Sequence, residues 1–478
     1  MNRYLCKSLL TAVSLAVLCL CVCLYAHKVD ASYDQAQQLK QQLSAIVKNA
    51  KTNPDTLIGV CVKVPESGRI VFSSDGNTPL VPASNLKILT TAASLNLLGP
   101  NYRLKTELRG NLPDQSGEIQ GNLYLRGNGD PTTTPPYDTP CTRPYEKFIK
   151  RLKEAGVTSI AGDLVADDSA FDREYLPKGW KDSYRLDSFA APVSSLSLNG
   201  NLIEVSVVDG QCAFNPPCTT MGVKLSDDGG APVMERPKGS NIITVKGANN
   251  GNIRNQICVE SPPLFAAGVF KSLLNQAGIK VKGQTRLIAK NGEAASVEGL
   301  HLYASHYSLP VSEIIREINH ESDNLFAEHL YKVIGQISHG RGSADTGFKA
   351  CQTFMASRNI DPENLYMVDG CGLSPDNRIT PHQLVEVLDT MQRSYYRRWF
   401  KDSLPHSGKG TLRGRLGGID VRAKTGTLAH DSSLTGYVIT QAGQELEFSI
   451  LCNNTEIWNA VNTQNQIVQT LSACTEKL

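Results

Sequence analysis

A serine and a lysine three positions apart, Ser84 and Lys87, open a run of apolar residues at helical spacing. Residues three apart on a helix share one face, so the two side chains are within reach of each other. A serine hydroxyl is a weak nucleophile until a neighbouring base takes its proton. A lysine can act as that base where burial lowers its pKa, and the flanking Leu86, Ile88 and Leu89 predict such burial. Taken alone, the pattern is more often an N-cap serine followed by a solvated lysine, so it needs support elsewhere.

A second candidate is the tripeptide Ser322-Asp323-Asn324, inside a stretch with helical periodicity over 311–335. Ser, Asp and Asn ordinarily cap or interrupt helices, which is the structural alternative for this segment. In a catalytic site the Ser322 hydroxyl would relay a proton to a leaving amine. The Asn324 amide would hold both Lys87 and a substrate carbonyl, with Asp323 assigned to substrate binding.

A third candidate is Lys424-Thr425-Gly426-Thr427, on a predicted strand that begins at Val421. A lysine and two hydroxyls along one strand edge can hold a terminal carboxylate. Gly426 has no side chain, so a peptide backbone can approach closely there. The backbone N–H groups of Ser84 and Thr427 would then form an oxyanion hole, and losing one such donor typically costs about 10²- to 10³-fold in rate.

The three elements, in this order, are the set found in penicillin-binding proteins and class A β-lactamases. Further segments resemble the class C low-molecular-mass penicillin-binding proteins, which are D-alanyl-D-alanine carboxypeptidases and D-Ala-D-Ala endopeptidases. These segments are 127–131, 162–168, 190–197, 369–374 and 422–427. One departure is Cys371, where that family usually has serine.

The resemblance implies an acyl-enzyme on Ser84, with peptidoglycan stem peptides as substrates and β-lactam antibiotics as inhibitors. It implies no metal and no cofactor. The roles implied are the base for Lys87, the proton relay for Ser322, a positioning group for Asn324, and the carboxylate clamp for Lys424, Thr425, Gly426 and Thr427.

The elements that must position these residues predict an α/β fold. The resemblance implies a transpeptidase/β-lactamase-like domain, an antiparallel sheet flanked by helices, with two mostly-β inserted domains. The predicted division is a signal peptide over 1–31, a catalytic domain of 32–103 and 300–478, and an inserted region of 104–299 with a subdomain of about 131–200 nested inside it. Proline- and glycine-rich composition predicts surface loops over 131–144 and 227–239.

In the outer parts of the chain, residue patterns predict a helix over 35–51 and a hairpin of strands 58–64 and 69–74. A buried helix is expected from Ser84 to Gly99. Further helices are expected over 311–335, 346–355, 381–391 and 457–472, and strands over 421–425, 435–440 and 445–452.

The first residues favour export from the cytoplasm. Arg3 and Lys7 precede an apolar stretch from Leu9 to Tyr25, which is typical of a signal peptide, and an uncleaved anchor is the alternative. Either reading places the catalytic part outside, in the periplasm or cell envelope, with peripheral membrane association left open. The oligomeric state is not predicted.

Charge and cysteine content bear on the possible partners and on the expected disulfides. The formal net charge of +2 over 478 residues gives no reason to expect nucleic acid as a partner. Nine of the 13 cysteines follow the signal segment, and an oxidising compartment permits pairing. Cys212 with Cys218 is the first expected bridge, and Cys351 with Cys371 the second.

Three other functions compete with a peptidase of this kind. A class A β-lactamase would need a glutamate four residues from an asparagine between the second and third motifs, and Glu328, Glu363 and Glu386 lack that spacing. A zinc peptidase would need a motif such as HExxH, and His320-Glu321 lacks the second histidine. A non-catalytic cell-wall sensor that keeps the pocket remains open.

Overall fold

The computed structural model describes residues 34–226, 229–247, 251–290 and 292–478. The predicted signal peptide therefore lies outside the described residues. Among those that are described, no helix combines the length and apolar character needed to cross a bilayer.

The helices are numbered α1 to α11 in chain order. They are α1 (34–50), α2 (Leu86–Leu98), α3 (Arg143–Glu154), α4 (Pro262–Gln276), α5 (Glu293–Val297), α6 (Val311–His320), α7 (Asn324–His339), α8 (Ala344–Ser357), α9 (Pro381–Arg393), α10 (Arg397–Ser403) and α11 (Ile457–Ser472).

The strands are numbered in the same way. In the first half of the chain they are β1 (Leu57–Val64), β2 (Arg69–Ser74), β3 (Arg103–Gly110), β4 (Glu118–Ile119), β5 (Leu123–Gly127), β6 (Ser159–Ile160), β7 (Leu164–Asp167), β8 (Leu202–Val208), β9 (Gln211–Asn215) and β10 (Gly222–Ser226). In the second half they are β11 (Val233–Glu235), β12 (Ile242–Lys246), β13 (Ile253–Cys258), β14 (Lys280–Val281), β15 (Thr285–Leu287), β16 (His301–Pro310), β17 (Val421–Thr427), β18 (Ser432–Ile439) and β19 (Glu445–Asn453).

A five-stranded antiparallel sheet, in the order β17-β18-β19-β1-β2, joins the two ends of the chain. Alternate residues of a strand point to opposite faces, and β19 contributes apolar side chains to both. Leu446, Phe448 and Ile450 pack with α1 and α11, whereas Leu451 packs with the helices of the other face, which include α2 and α9. The predicted α/β class, with helices flanking an antiparallel sheet, is confirmed.

The helical side is built around α2, which is buried along most of its length. The predicted helix over 311–335 is two helices, α6 and α7, separated by Glu321-Ser322-Asp323. The break follows from the sequence, because the Asp323 side chain accepts a hydrogen bond from Phe326 N at 2.8 Å and so caps α7. This interruption places Ser322 at the end of a helix and not along its side.

The region between the two outer parts of the chain has its own hydrophobic core, drawn from residues between Leu108 and Tyr303. Its largest sheet has the order β15-β7-β5-β3-β16, and three smaller sheets each have three strands. Strands β8 to β13, which cover 202–258, pair only among themselves. By contrast, β6 and β7, within 131–200, pair with strands outside that range. Where the subdomain boundaries fall stays a prediction.

Both predicted surface loops need correction. The start of 131–144 is buried, because Thr132 donates to Asp130 through its amide and its hydroxyl, both at 2.7 Å, and accepts from Leu309 N at 3.2 Å. The segment 227–239 contains β11, whose Met234 is buried and pairs with Val245. In the first segment the proline-rich composition concealed a contact with the distant strand β16, and in the second it concealed a short strand that pairs with β12.

The two predicted disulfides are also wrong. All nine cysteines of the described residues are free thiols. The Cys218 thiol lies against Thr220 Oγ1 at 3.3 Å, while Cys212 is exposed on β9. Cys351 is buried on α8, whereas the Cys371 thiol lies beside Glu328. Both predictions were based on proximity in the sequence, which does not determine the directions in which the four cysteine side chains point.

Candidate active site

Ser84 lies in a single 3-10 turn, Ala83–Asn85, immediately before α2, and is half-buried. The space between this turn, the segment Ser322–Asn324 and the second half of β17 is called the groove below. Two hydrogen bonds tie this turn to the main sheet. Asn85 Nδ2 donates to the Lys424 carbonyl at 3.0 Å, and Ser433 Oγ donates to the Pro82 carbonyl at 2.6 Å. The Ser84 hydroxyl is therefore fixed relative to β17 and does not depend on a free loop.

Lys87 is fully buried one helical turn beyond Ser84. Its Nζ lies 3.0 Å from Ser84 Oγ, 2.6 Å from Asn324 Oδ1 and 2.7 Å from the Cys371 carbonyl oxygen. Burial lowers the pKa of Lys87 from its ordinary value. A neutral amine has two N–H donors and one lone pair, so Asn324 and Cys371 can accept the two donors while the lone pair faces the Ser84 hydroxyl.

Ser322 and Asn324 stand on either side of the helix break. Ser322 has a positive φ of 66°, which is uncommon for a residue with a side chain and is characteristic of constrained sites. Asn324 Nδ2 donates to the Phe189 carbonyl at 2.8 Å, so the same amide that holds Lys87 also holds a loop of the inserted region. Asp323 caps α7, and its predicted contact with substrate stays a prediction.

Lys424 is fully buried on β17. Its Nζ donates to Ser322 Oγ at 2.9 Å and to the Thr425 carbonyl at 2.8 Å. Burial, together with the charge of Lys87, holds the pKa of Lys424 well below its ordinary value. The two lysines therefore face one another across the groove, each bonded to one hydroxyl, that of Ser84 or that of Ser322.

Gly426 allows β17 and the Ser84 turn to approach closely. A β-carbon at this position would lie 2.8 Å from Ser84 N and 2.3 Å from Ser433 Oγ. Both distances are shorter than any side chain tolerates, which accounts for the glycine. Thr425 is half-buried and Thr427 is exposed, at the open end of the same strand.

β17 is the edge strand of its sheet, and only its first half is covered. Ala423 N donates to the Pro405 carbonyl at 3.1 Å, and Ser407 N donates to the Val421 carbonyl at 3.2 Å. The second half, from Lys424 to Thr427, faces the groove. An exposed strand edge of this kind can pair with an extended peptide.

A second layer of residues, which the motifs did not reveal, fixes the carbonyl that Lys87 uses. Glu328 Oε1 accepts from Gly370 N and from Cys371 N, both at 2.7 Å. Asp369 accepts from Gly372 N at 2.8 Å and from the Trp180 indole at 2.9 Å. In the sequence, the only indication of this layer is the segment that begins with Asp369-Gly-Cys-Gly, which resembles the family. That resemblance does not specify these hydrogen bonds.

Gly372 has a positive φ of 81°, and a β-carbon there would lie 1.9 Å from the Ala83 carbonyl oxygen. The loop that carries Cys371 thus packs directly on the turn that carries Ser84. Only glycine satisfies both the conformation and the space.

Glu328, Asp369 and Cys371 also form the one cluster, within the described ranges, whose spacing suits a metal ion. Their chemistry does not fit one. The carboxylate oxygens named above are already occupied by N–H donors, and burial raises the pKa of Cys371 well above its ordinary value, so the thiol keeps its proton. Burial also raises the pKa of Glu328 to about 8. The cluster is therefore a hydrogen-bonded support behind Lys87, and the protonated Cys371 thiol is no nucleophile.

A cavity of about 470 Å³ opens beside the Ser322–Asn324 segment. The inserted region forms its other wall with Tyr137, Phe189 and Leu202. This cavity, which adjoins the groove at Ser322–Asn324, is therefore bounded by both parts of the protein.

The comparisons with known proteins agree with this geometry. A family model, D-Ala-D-Ala carboxypeptidase 3 (S13), matches residues 39–474. The chain belongs to this family. It is 31% identical over 456 residues to a D-alanyl-D-alanine carboxypeptidase of Actinomadura sp. (strain R39), covering 89% of this chain and 82% of that protein.

Two Haemophilus influenzae comparisons extend the match. D-alanyl-D-alanine carboxypeptidase DacB is 25% identical over 417 residues, covering 82% of this chain and 84% of that protein. The crystal structure of penicillin binding protein 4 (dacB) aligns with a TM-score of 0.75 at 23% identity, covering 92% of this chain and 99% of that one. At this identity the structural match establishes the fold, and the predicted transpeptidase-like class is confirmed.

The support behind Lys87 predicts different outcomes for two substitutions of Glu328. Glu328→Gln keeps an oxygen that accepts from both amides, and should leave stability and penicillin acylation close to wild type. Glu328→Ala creates a cavity and leaves two buried N–H groups without an acceptor. The substitution should lower the free energy of unfolding by about 3 kcal/mol and slow acylation. Thermal melts and stopped-flow acylation measure both. An alanine variant as stable and as fast as wild type would remove Glu328 from this account.

Proposed function

We propose that the protein is a serine D-Ala-D-Ala carboxypeptidase and/or endopeptidase that acts on peptidoglycan stem peptides through an acyl-enzyme on Ser84. The observation that carries the proposal is the position of the buried Lys87 amine, 3.0 Å from Ser84 Oγ. Membership of the S13 family and similarity to named carboxypeptidases support the same substrate class.

Acylation begins when Ser84 Oγ attacks the carbonyl carbon of the penultimate D-alanine and Lys87 Nζ takes the hydroxyl proton. The backbone N–H groups of Ser84 and Thr427 stabilise the oxyanion that forms. The peptide C–N bond then breaks, and the leaving amine receives a proton through the Ser322 hydroxyl. The products of this step are an ester on Ser84 and a free amine.

Substrate is held along the open half of β17. The peptide backbone adds to the strand edge, and the leaving group's carboxylate meets Lys424, Thr425 and Thr427. Carboxylate binding needs a protonated Lys424, and an anionic ligand favours that form. Asn324 binds the backbone carbonyl on the other side of the groove.

Deacylation reverses the proton path. Water attacks the ester carbonyl while Lys87 takes its proton, the ester bond breaks, and Ser84 regains a proton. The overall reaction consumes one water and needs no metal, oxidant or cofactor.

The remaining expectations belong to the same proposal. Residues 1–31 act as a signal peptide, and the enzyme works in the cell envelope, where its substrate lies. Residues 32–103 with 300–478 form the catalytic domain around 104–299, which the separate hydrophobic core of the inserted region supports. β-Lactams are inhibitors, and one of the structural neighbours is described as a complex with a novel β-lactam.

A β-lactamase remains the second candidate, because it would use the same nucleophile. It would need a carboxylate free to activate water beside the ester. Glu328 does not offer one, since its Oε1 accepts from two amides and its raised pKa keeps the carboxyl protonated.

The direct test is release of D-alanine from a purified stem pentapeptide. Wild type should release it, and Ser84→Ala should reduce the rate to background because the nucleophile is lost. Ser67→Ala, in the exposed β1–β2 turn, is the matched control and should match wild type. Turnover retained by Ser84→Ala would refute the assignment.

The lowered pKa of Lys87 predicts the pH profile. The active form of the free enzyme needs a neutral Lys87 and a protonated Lys424, and burial lowers the pKa of both lysines. The profile of kcat/KM should therefore be bell-shaped, with both limbs below the ordinary lysine value of about 10.4. A rate that rises only above pH 10 would contradict the burial of Lys87.

Penicillin should distinguish the two candidate functions. We expect one equivalent of drug to acylate the protein rapidly and to remain bound, because the amine released on ring opening stays attached to the acyl group and obstructs the deacylating water. A chromogenic cephalosporin should give a burst of one equivalent followed by slow turnover. Sustained rapid hydrolysis would favour the β-lactamase.

A further inference from the structure

A second cavity, of about 730 Å³, lies outside the groove just described. It is bounded by α6, α10, the segment 403–409 and the start of β17. Its charged lining side chains are Glu313, Arg316, Arg398, Asp402, Lys409 and Arg422, and His320, His406 and Trp399 complete most of the wall.

The position of the cavity relative to Ser84 follows from β17. Arg422, Lys424 and Gly426 are alternate residues of this strand and so share one face. Gly426 adjoins Ser84, Lys424 bonds to Ser322, and Arg422 lines the cavity. Adjacent positions on this face are roughly 7 Å apart, so the cavity continues the line from nucleophile to carboxylate clamp.

The opposite wall of the cavity follows the same order. His320 ends α6 two residues before Ser322 and lines the cavity. Gly410, with φ of 47°, packs on this histidine, since a β-carbon there would lie 2.5 Å from the His320 carbonyl oxygen. The cavity therefore begins where the Lys424–Ser322 contact ends, on the side away from Ser84.

Four permanent cations and two carboxylates line the cavity, so its charge is positive. The ion pairs among them are long. Arg316 lies 3.7 Å from Glu313, and Arg398 lies 3.6 Å from Asp402, which Arg422 also approaches at 3.3 Å. Exposed pairs at such distances contribute little, so the guanidinium groups remain able to bind an anionic ligand.

Aromatic side chains extend from the cavity onto the surface. Tyr395 is 83% exposed, and its ring centroid lies 5.9 Å from that of Trp399, which lines the cavity. Trp, Tyr and Arg are the residue types most enriched where binding energy concentrates. Exposed aromatic rings beside guanidinium groups are therefore typical of a binding surface, and are unusual on a protein surface that binds nothing.

We propose that this cavity binds the acceptor peptide that leaves during cross-link cleavage, through the carboxylate groups of that peptide. The inference rests on the proposed function and adds a subsite to it. In carboxypeptidase turnover the leaving fragment is a single D-alanine, which ends at the Lys424 clamp. In endopeptidase turnover the fragment is a second stem peptide, which continues beyond the clamp and carries a C-terminal carboxylate of its own.

The test compares two substrates in the full-length enzyme, a stem pentapeptide and a cross-linked stem-peptide dimer. The variant Arg398→Glu/Lys409→Glu reverses two cavity charges and touches neither the nucleophile nor the clamp. We expect kcat/KM for the dimer to fall about tenfold or more, through KM, because two attractions become repulsions. The pentapeptide rate and the rate of penicillin acylation should stay within about twofold of wild type.

A matched control is Lys150→Glu/Arg151→Glu, two exposed positions on α3 outside both cavities. It should leave both substrates unaffected. A dimer whose acceptor terminus is amidated adds a second check, since wild type should lose affinity for it and the cavity variant should lose little more.

The outcomes separate this inference from the proposed function. Equal dimer cleavage by the cavity variant and wild type, with both active on pentapeptide, would overturn the subsite and leave the enzyme assignment standing. Loss of both activities with normal penicillin acylation would also overturn it, because the effect would not be specific to the acceptor. A wild-type enzyme inactive on both substrates would refute the proposed function itself.

Discussion

Burial of the Lys87 amine is the interaction on which the rest of the site depends. An ammonium ion is costly to remove from water, so the buried group favours its neutral form. Asn324 Oδ1 and the Cys371 carbonyl oxygen accept two hydrogen bonds from it and direct its remaining position at Ser84. Without those two acceptors the amine would be buried and unpaired, and without burial it would be a cation and no base.

Three distant segments must meet for this arrangement to exist, and each is held by an identifiable constraint. Asn85 and Ser433 tie the nucleophile's turn to the sheet. Asp323 caps α7 after the break between α6 and α7, so its neighbours Ser322 and Asn324 face the groove. Gly372 allows the loop behind Lys87 to pack against Ala83. The contacts of Asn85, Ser433 and Gly372 are short and join residues far apart in the sequence, which explains how the three segments form one groove.

The sequence predicted the elements that local periodicity controls, including the β1–β2 hairpin, α2, β17 and α11, whose observed bounds of Ile457–Ser472 match the prediction. It also predicted the residues that the groove brings together. It did not predict the burial of Thr132, which depends on a contact with the distant Leu309. It also did not predict the short strand β11 or the free thiols, because β11 is stabilised by pairing with β12 and the direction of each cysteine side chain is set by tertiary packing. Glu328 was considered only by its spacing, and its role as an acceptor for two loop amides became visible only in three dimensions.

The most direct measurement of the central claim is the rate at which penicillin acylates Lys87→Gln. Glutamine keeps hydrogen-bond donors near Asn324 and the Cys371 carbonyl but has no basic lone pair. With the fold verified by circular dichroism and thermal melting, the account predicts a rate about 10² to 10⁴ times slower than wild type, the usual contribution of a general base. A folded Lys87→Gln variant that acylates as fast as wild type would contradict the claim that this buried amine activates Ser84.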